Sequence, residues 1–267
     1  MAEDPKRTAA YRVGTGLLAA GGGLVLWFLW YVVLTLSFAA APLPAMAWAG
    51  AVTVAFLWVH AVPMRWNRRL RTWSRLRWPP PAFGWTHALA PGLLLLLVAV
   101  SVFLLALGLA VPDELPPQLA EFVEKPWGAL AFVAIAVTAV PVLEEVGFRG
   151  WVQRPLERRL SPQPAIALAS VLFAAAHLGS SLLPARLAGG LVLGYAVYAT
   201  RSVWTGILLH AAWNGGMFVL DALLPDWDPT GTGWPSAAPA LFCALAALLW
   251  CVWVLRQMED RVRAGRR

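Results

Sequence analysis

Residues 141–151 read PVLEEVGFRGW, and they follow directly on an apolar run, Trp127–Leu143, that carries no charge over seventeen residues. A run of that length is close to a bilayer crossing, which takes about 20 apolar residues. A charge in the apolar middle of a bilayer costs roughly 2.5–3.5 kcal/mol even on the lenient insertion scale. Two adjacent glutamates, Glu144 and Glu145, with Arg149 four residues on, are therefore either the end of this span or its working part.

The rest of the chain fixes the surroundings. Of 267 residues, 60% are hydrophobic and 13% charged, and the mean hydropathy is +0.65. A soluble domain of this length cannot hide so much apolar surface. The composition predicts an all-α protein, a polytopic membrane bundle of about eight helices. Spans are expected near 14–39, 44–63, 92–111, 127–146, 164–182, 187–200, 202–224 and 236–255. The first is too long for the roughly 7–15-residue core of a signal peptide and reads as a retained anchor. Span six is short, with only fourteen residues between Arg186 and Arg201. That is roughly 21 Å of helix against a core of about 30 Å. No internal repeat is visible, and the proline-rich loops Pro79–Pro81 and Pro225–Pro239 are too short to link domains, so residues 1–267 read as one domain. Cys243 and Cys251 lie in one apolar run and suit neither a disulfide framework nor a zinc knuckle.

The formal charge of +7 suggests a nucleic-acid partner until the charges are placed. With the N-terminus in the cytoplasm, 19 of the 21 basic residues fall inside and only Lys125 and Arg186 outside. This is the positive-inside bias of a membrane protein, so the basicity orients the chain and requires no nucleic acid. Both termini are expected in the cytoplasm. Arg65–Trp78, six arginines interleaved with three tryptophans, is expected to lie along the inner headgroups. Arginine outnumbers lysine 19 to 2, which resembles the bias of a GC-rich genome and suggests a bacterial inner membrane.

Against this map few ionisable groups lie within spans: Glu144 and Glu145 in span four, His177 in span five and His210 in span seven. Asn214 follows His210 by one turn. Such residues are functional candidates, with polar packing between helices as the alternative. Spans four and five should form an antiparallel hairpin turning near Leu160–Pro164, where RLSPQP supplies a serine and two prolines. Glu144 lies 17 residues before Ser161 and His177 lies 16 after it, so the two belong at nearly the same depth. Helix four must then continue past Arg149 through Trp151–Leu160. His210 and Asn214, and likewise Phe173 and His177, are four apart and share a helix face. Glu145 and Arg149 have the same spacing, in the favourable order for an ion pair.

A carboxylate away from bulk water is a competent general base, and an imidazole opposite it can share in activating a water molecule. A second imidazole and a carboxamide can stabilise an oxyanion. No serine or cysteine sits in the set as a nucleophile, so the expected attacker is water and the expected reaction is hydrolysis of an acyl bond, a peptide above all.

EEVGFR (Glu144–Arg149), FAAAH (Phe173–His177) and HAAWN (His210–Asn214) resemble the EExxxR, FxxxH and HxxxN motifs of the CAAX-prenyl-protease and bacteriocin-processing family of intramembrane proteases. The resemblance covers residues 127–224, which would be the catalytic core. It implies that Glu144 and His177 activate the water while His210 and Asn214 line the oxyanion site. Glu145 and Arg149 would be a supporting pair, and Phe173 a packing or substrate-gating residue. Glu144, His177 and His210 could also supply a carboxylate and two imidazoles to Zn²⁺, although the HExxH spacing of common zinc proteases is absent. A metal-free mechanism and a zinc mechanism both stay open at this point. The partners implied are the lipid bilayer and a peptide or protein substrate in or at the membrane. The rival readings are a small-solute transporter and a non-catalytic immunity or scaffold protein of the same fold. The absence of a repeat and the crowding of polar groups into the C-terminal half argue against transport.

Overall fold

The computed structural model describes residues 14–25, 27–29, 32, 83–109, 117–177, 182–223 and 230–264, and among these the regular structure is helical throughout. The elements are α1 (Gly14–Leu29), α2 (Phe83–Ala106), α3 (Pro117–Val123), α4 (Pro126–Val137), α5 (Ala139–Glu145), a π-helical segment (Val146–Gln153), α6 (Arg154–Glu157), α7 (Pro162–Ala175), α8 (Leu183–Thr200), α9 (Val203–Leu223) and α10 (Trp234–Ala264). Expected span two, the Arg65–Trp78 segment and Pro79–Pro81 lie outside the described residues.

Among the described residues four helices are long and apolar enough to cross a membrane: Leu89–Ala106, Pro126–Glu157, Val203–Leu223 and Trp234–Val254. The second runs through α4, α5, the π segment and α6, interrupted between α4 and α5 by Thr138. Its 32 residues reach about 48 Å, well beyond a hydrocarbon core of about 30 Å. PVLEEVGFRGW therefore lies in the interior of one long rod. The rod has two irregularities. Thr138 departs from helical geometry at φ −124° and ψ −72°, three residues before Pro141, whose ring and missing N–H disrupt the preceding turn. Val146–Gln153 then widens to π geometry, where Gly147 and Gly150 ease the change.

Several span boundaries differ from expectation. The expected span five reaches residue 182, but α7 ends at Ala175, so His177 sits in the turn beyond the helix, with its backbone N–H on the carbonyl of Ala174. The proline-rich sequence predicts a loop over Pro225–Pro239, whereas α10 begins at Trp234 and carries Pro239 within it. Pro235 in the first turn gives up an N–H that has no helical partner there. Span six gains length: α8 has 18 residues, about 27 Å.

α2 and α10 pack antiparallel along their length. A Cβ on Gly92 would meet the Trp250 ring at 2.6 Å, and at the other end the N–H groups of Gly231 and Gly233 take the last carbonyls of α2, Leu105 and Ala106. Both glycines have positive φ, the left-handed backbone that L side chains resist. One apolar core surrounds the π segment, with Trp27, Phe148, Trp151 and Phe173 among its members. A second joins Leu93 and Leu97 of α2 to Leu193, Leu209 and Trp213. Outward, α4, α9 and α10 expose Leu130, Leu208, Phe242 and Leu249, a surface suited to lipid chains rather than to water.

Candidate active site

The site forms where the π segment begins, between the end of α7 and the middle of α9. Glu144 and Glu145 close α5 and are both buried, Glu145 completely. Oε1 of Glu144 lies 3.4 Å from Nε2 of His177 and its Oε2 lies 3.8 Å from Nε2 of His210. One carboxylate thus stands between two imidazoles, with one oxygen toward each. Glu145 turns the other way along α9: its Oε1 is 3.0 Å from Nδ1 of His210, and its Oε2 is 3.2 Å from Nε of Arg149.

The partners of the two rings fix their tautomers. Nδ1 of His177 is 2.8 Å from the carbonyl oxygen of Phe173, which can only accept, so Nδ1 carries a proton and donates. Nδ1 of His210 donates likewise to the Glu145 carboxylate. In a neutral ring Nε2 then bears the lone pair, and Glu144 meets one such atom on each side. Glu144, His177 and His210 thus form one compact polar trio. Among these three side chains His177 is the most exposed. The His177 side chain is 20% exposed and the Glu144 side chain 9%, against 0% for Glu145.

The remaining motif residues hold this arrangement. Arg149, buried under the core, spreads over the Phe173 ring at 4.7 Å and donates from Nη2 to the carbonyl of Gly190. Phe173 is 2% exposed, stands edge-on to Phe148 and lies against both imidazoles. Asn214 is on the same face of α9 as His210, and its Nδ2 donates to the carbonyl of Ala136 at 2.8 Å. That bond ties α9 to α4, and the second amide hydrogen remains for another acceptor. Trp213 packs beside His210 and donates to Ser101 of α2 at 3.1 Å.

Sequence reasoning missed two things here. The Glu145–His210 bond joins residues 65 apart, and no spacing rule pairs them. The glycines that admit the site were also overlooked: a Cβ on Gly206 would lie 2.6 Å from Oε2 of Glu145, and one on Gly189 would lie 2.5 Å from the Trp213 ring. The run AGGLVLG on α8 carries Gly190 and Gly194 four apart, and this small-residue spacing was the available signal of a close helix contact.

Among the described residues no three His, Cys, Asp or Glu side chains are arranged to hold a metal ion. Beside the site, Ala174, Ala175, Leu183, Pro184 and Leu187 line an apolar cleft between α7 and α8.

Residues 126–216 match the family model described as type II CAAX prenyl endopeptidase Rce1-like. The match starts at the first residue of α4, ends within α9, and contains all three motifs, so the resemblance read from the motifs is shown. The Rce1-like segment and the four apolar helices among the described residues make this an integral membrane protein. No curated protein and no solved structure matches the chain significantly.

Proposed function

We propose that the protein is an intramembrane endopeptidase, which hydrolyses a peptide bond near the end of a membrane-associated polypeptide with water activated by Glu144 and His177. The observation that carries this reading is the position of Glu144, buried between two imidazoles with the His177 side open. Water entering there would meet a carboxylate oxygen and an imidazole nitrogen together. As its oxygen forms a bond to the substrate carbonyl carbon, its proton passes to the Glu144 trio. The same proton then goes to the departing amine when the carbon–nitrogen bond breaks, so the site ends as it began. The carbonyl oxygen, negative in between, would be met by the second N–H of Asn214 and by Nε2–H of His210 whenever the shared proton rests there. Arg149 holds Glu145, and Glu145 in turn orients His210, in the manner of a carboxylate behind a catalytic histidine.

The Rce1-like match supports a substrate with a prenylated CAAX end, and the apolar cleft beside His177 offers room for apolar substrate atoms. We further read the chain as eight spans in a bacterial inner membrane with both termini in the cytoplasm, on the strength of the distribution of its arginines.

Trapping tests the reading. Cells expressing the Glu144→Gln variant should accumulate uncut membrane polypeptides that cells expressing the wild type process. Equal processing by the variant, present at equal level, would leave the scaffold reading in its place. With the purified protein, cleavage should persist in a strong zinc chelator such as 1,10-phenanthroline. Loss of cleavage in the chelator that added zinc restores would contradict the metal-free route.

A further inference from the structure

Gln153 has no part in the chemistry above, yet it is 1% exposed. Its Nε2 donates to the carbonyl of Gly194 at 2.9 Å and to Oε1 of Glu157 at 2.8 Å. One turn earlier, Nη2 of Arg149 donates to the carbonyl of Gly190 at 3.2 Å. Each of these bonds to α8 spans 41 residues. Side chains four apart on the long rod therefore meet carbonyls four apart on α8, as two successive rungs.

A carbonyl inside a helix already accepts from its own helix, and a second donor must come in from the side. Glycine permits that approach. A Cβ on Gly194 would lie 2.7 Å from Oε1 of Gln153, and one on Gly190 would lie 3.1 Å from the Cβ of Ser170. The rungs fall within the π segment, at its fourth residue and its last. A π turn holds about one residue more than an α turn, so rewinding it to α would rotate one end against the other by roughly 100°. The two glutamates could then face the imidazoles, or Arg149 and Gln153 could face α8, but the rod could not satisfy both.

We propose that Gln153 is a positioning residue. Its bond to the Gly194 carbonyl, together with the Arg149–Gly190 bond, keeps the π turn wound, and this holds Glu145 on His210 and Glu144 between the two rings. The proposal rests on the hydrolytic reading and adds a residue outside the three motifs.

The test uses the full chain in detergent micelles and, as probe, a farnesylated peptide with a CAAX end carrying a fluorophore–quencher pair across the cleaved bond. Gln153→Met keeps the length of the side chain and removes the donor, whereas Gly194→Ala keeps Gln153 and blocks the approach. Each should lower kcat about 10- to 100-fold with KM within about twofold, the scale of a small misplacement of reacting groups. Because both break one rung, the double variant should fall no more than about threefold below the weaker single. The ¹⁵N signals of the His210 ring, which need no substrate, should move in both variants.

Turnover within twofold of wild type in Gln153→Met, multiplicative losses in the double variant, or an unmoved His210 signal would each overturn the proposal. If Gln153→Met does not fold, Gly194→Ala carries the test, and failure of both to fold would make the rung a requirement of folding and overturn the positioning role. Failure of the hydrolytic reading has a different signature: wild type and Glu144→Gln would then treat the probe alike, while the His210 signals still report on the rung.

Discussion

Glu145 shares its carboxylate between a cation and an imidazole, Arg149 on one oxygen and His210 on the other. Removing either neighbour has a different consequence. Arg149→Met leaves a buried carboxylate without its counter-charge, and such a loss destabilises by about 3–5 kcal/mol. Replacing both members, as Glu145→Leu with Arg149→Met, should restore most of that stability, since apolar pairs replace buried ion pairs at little cost. Hydrolysis should not return with it, because Nδ1 of His210 has lost its acceptor. Thermal unfolding and turnover measured on the same preparations check both halves, and recovery of activity with stability would count against the orienting role of Glu145. The sequence made the Glu145–Arg149 pair visible, because four residues along a helix is a local rule. It also made the level of Glu144 and His177 visible by counting from the turn at Ser161. It could not show the Glu145–His210 bond, which depends on how a π turn rotates one helix against another.

Helix contacts at the site are set by what is missing from α8 and α9 as much as by what is present. With a Cβ on Gly206 only 2.6 Å from Oε2 of Glu145 and 2.7 Å from Val197, Gly206→Ala must push one of them away. Overpacking of this kind costs about 1–3 kcal/mol, and it should lower the unfolding temperature and turnover together. A variant with wild-type values of both would show that α9 can withdraw from the rod. The hydrophobic runs marked the spans well because burial in lipid demands long apolar stretches. Helix ends were less legible. α7 stops at Ala175 although the apolar sequence continues, and α10 starts inside a proline-rich stretch because proline costs little in a first turn. The π segment had no composition of its own beyond Gly147 and Gly150, and glycines serve many other purposes.

Across the whole molecule the polar machinery sits where three helices of the Rce1-like segment meet, and apolar side chains face outward around it. The asymmetry of the arginines predicts a cytoplasmic C-terminus. A reporter active only in the cytoplasm, fused after Arg267, should be active, and activity of an exported reporter at the same point would break the eight-span map. Membrane residence and the motif trio were legible from composition and three short patterns, whereas the packing of α2 on α10 was not, since two featureless apolar helices carry no mark of their partner. The central claim is that Glu144 activates the water. Wild type and Glu144→Gln, purified with equal helical content, should be compared on the farnesylated CAAX probe. The account predicts a loss of about a thousandfold or more in kcat, comparable to removing a general base with its share of the site's electrostatics. Turnover by Glu144→Gln within tenfold of wild type would contradict it.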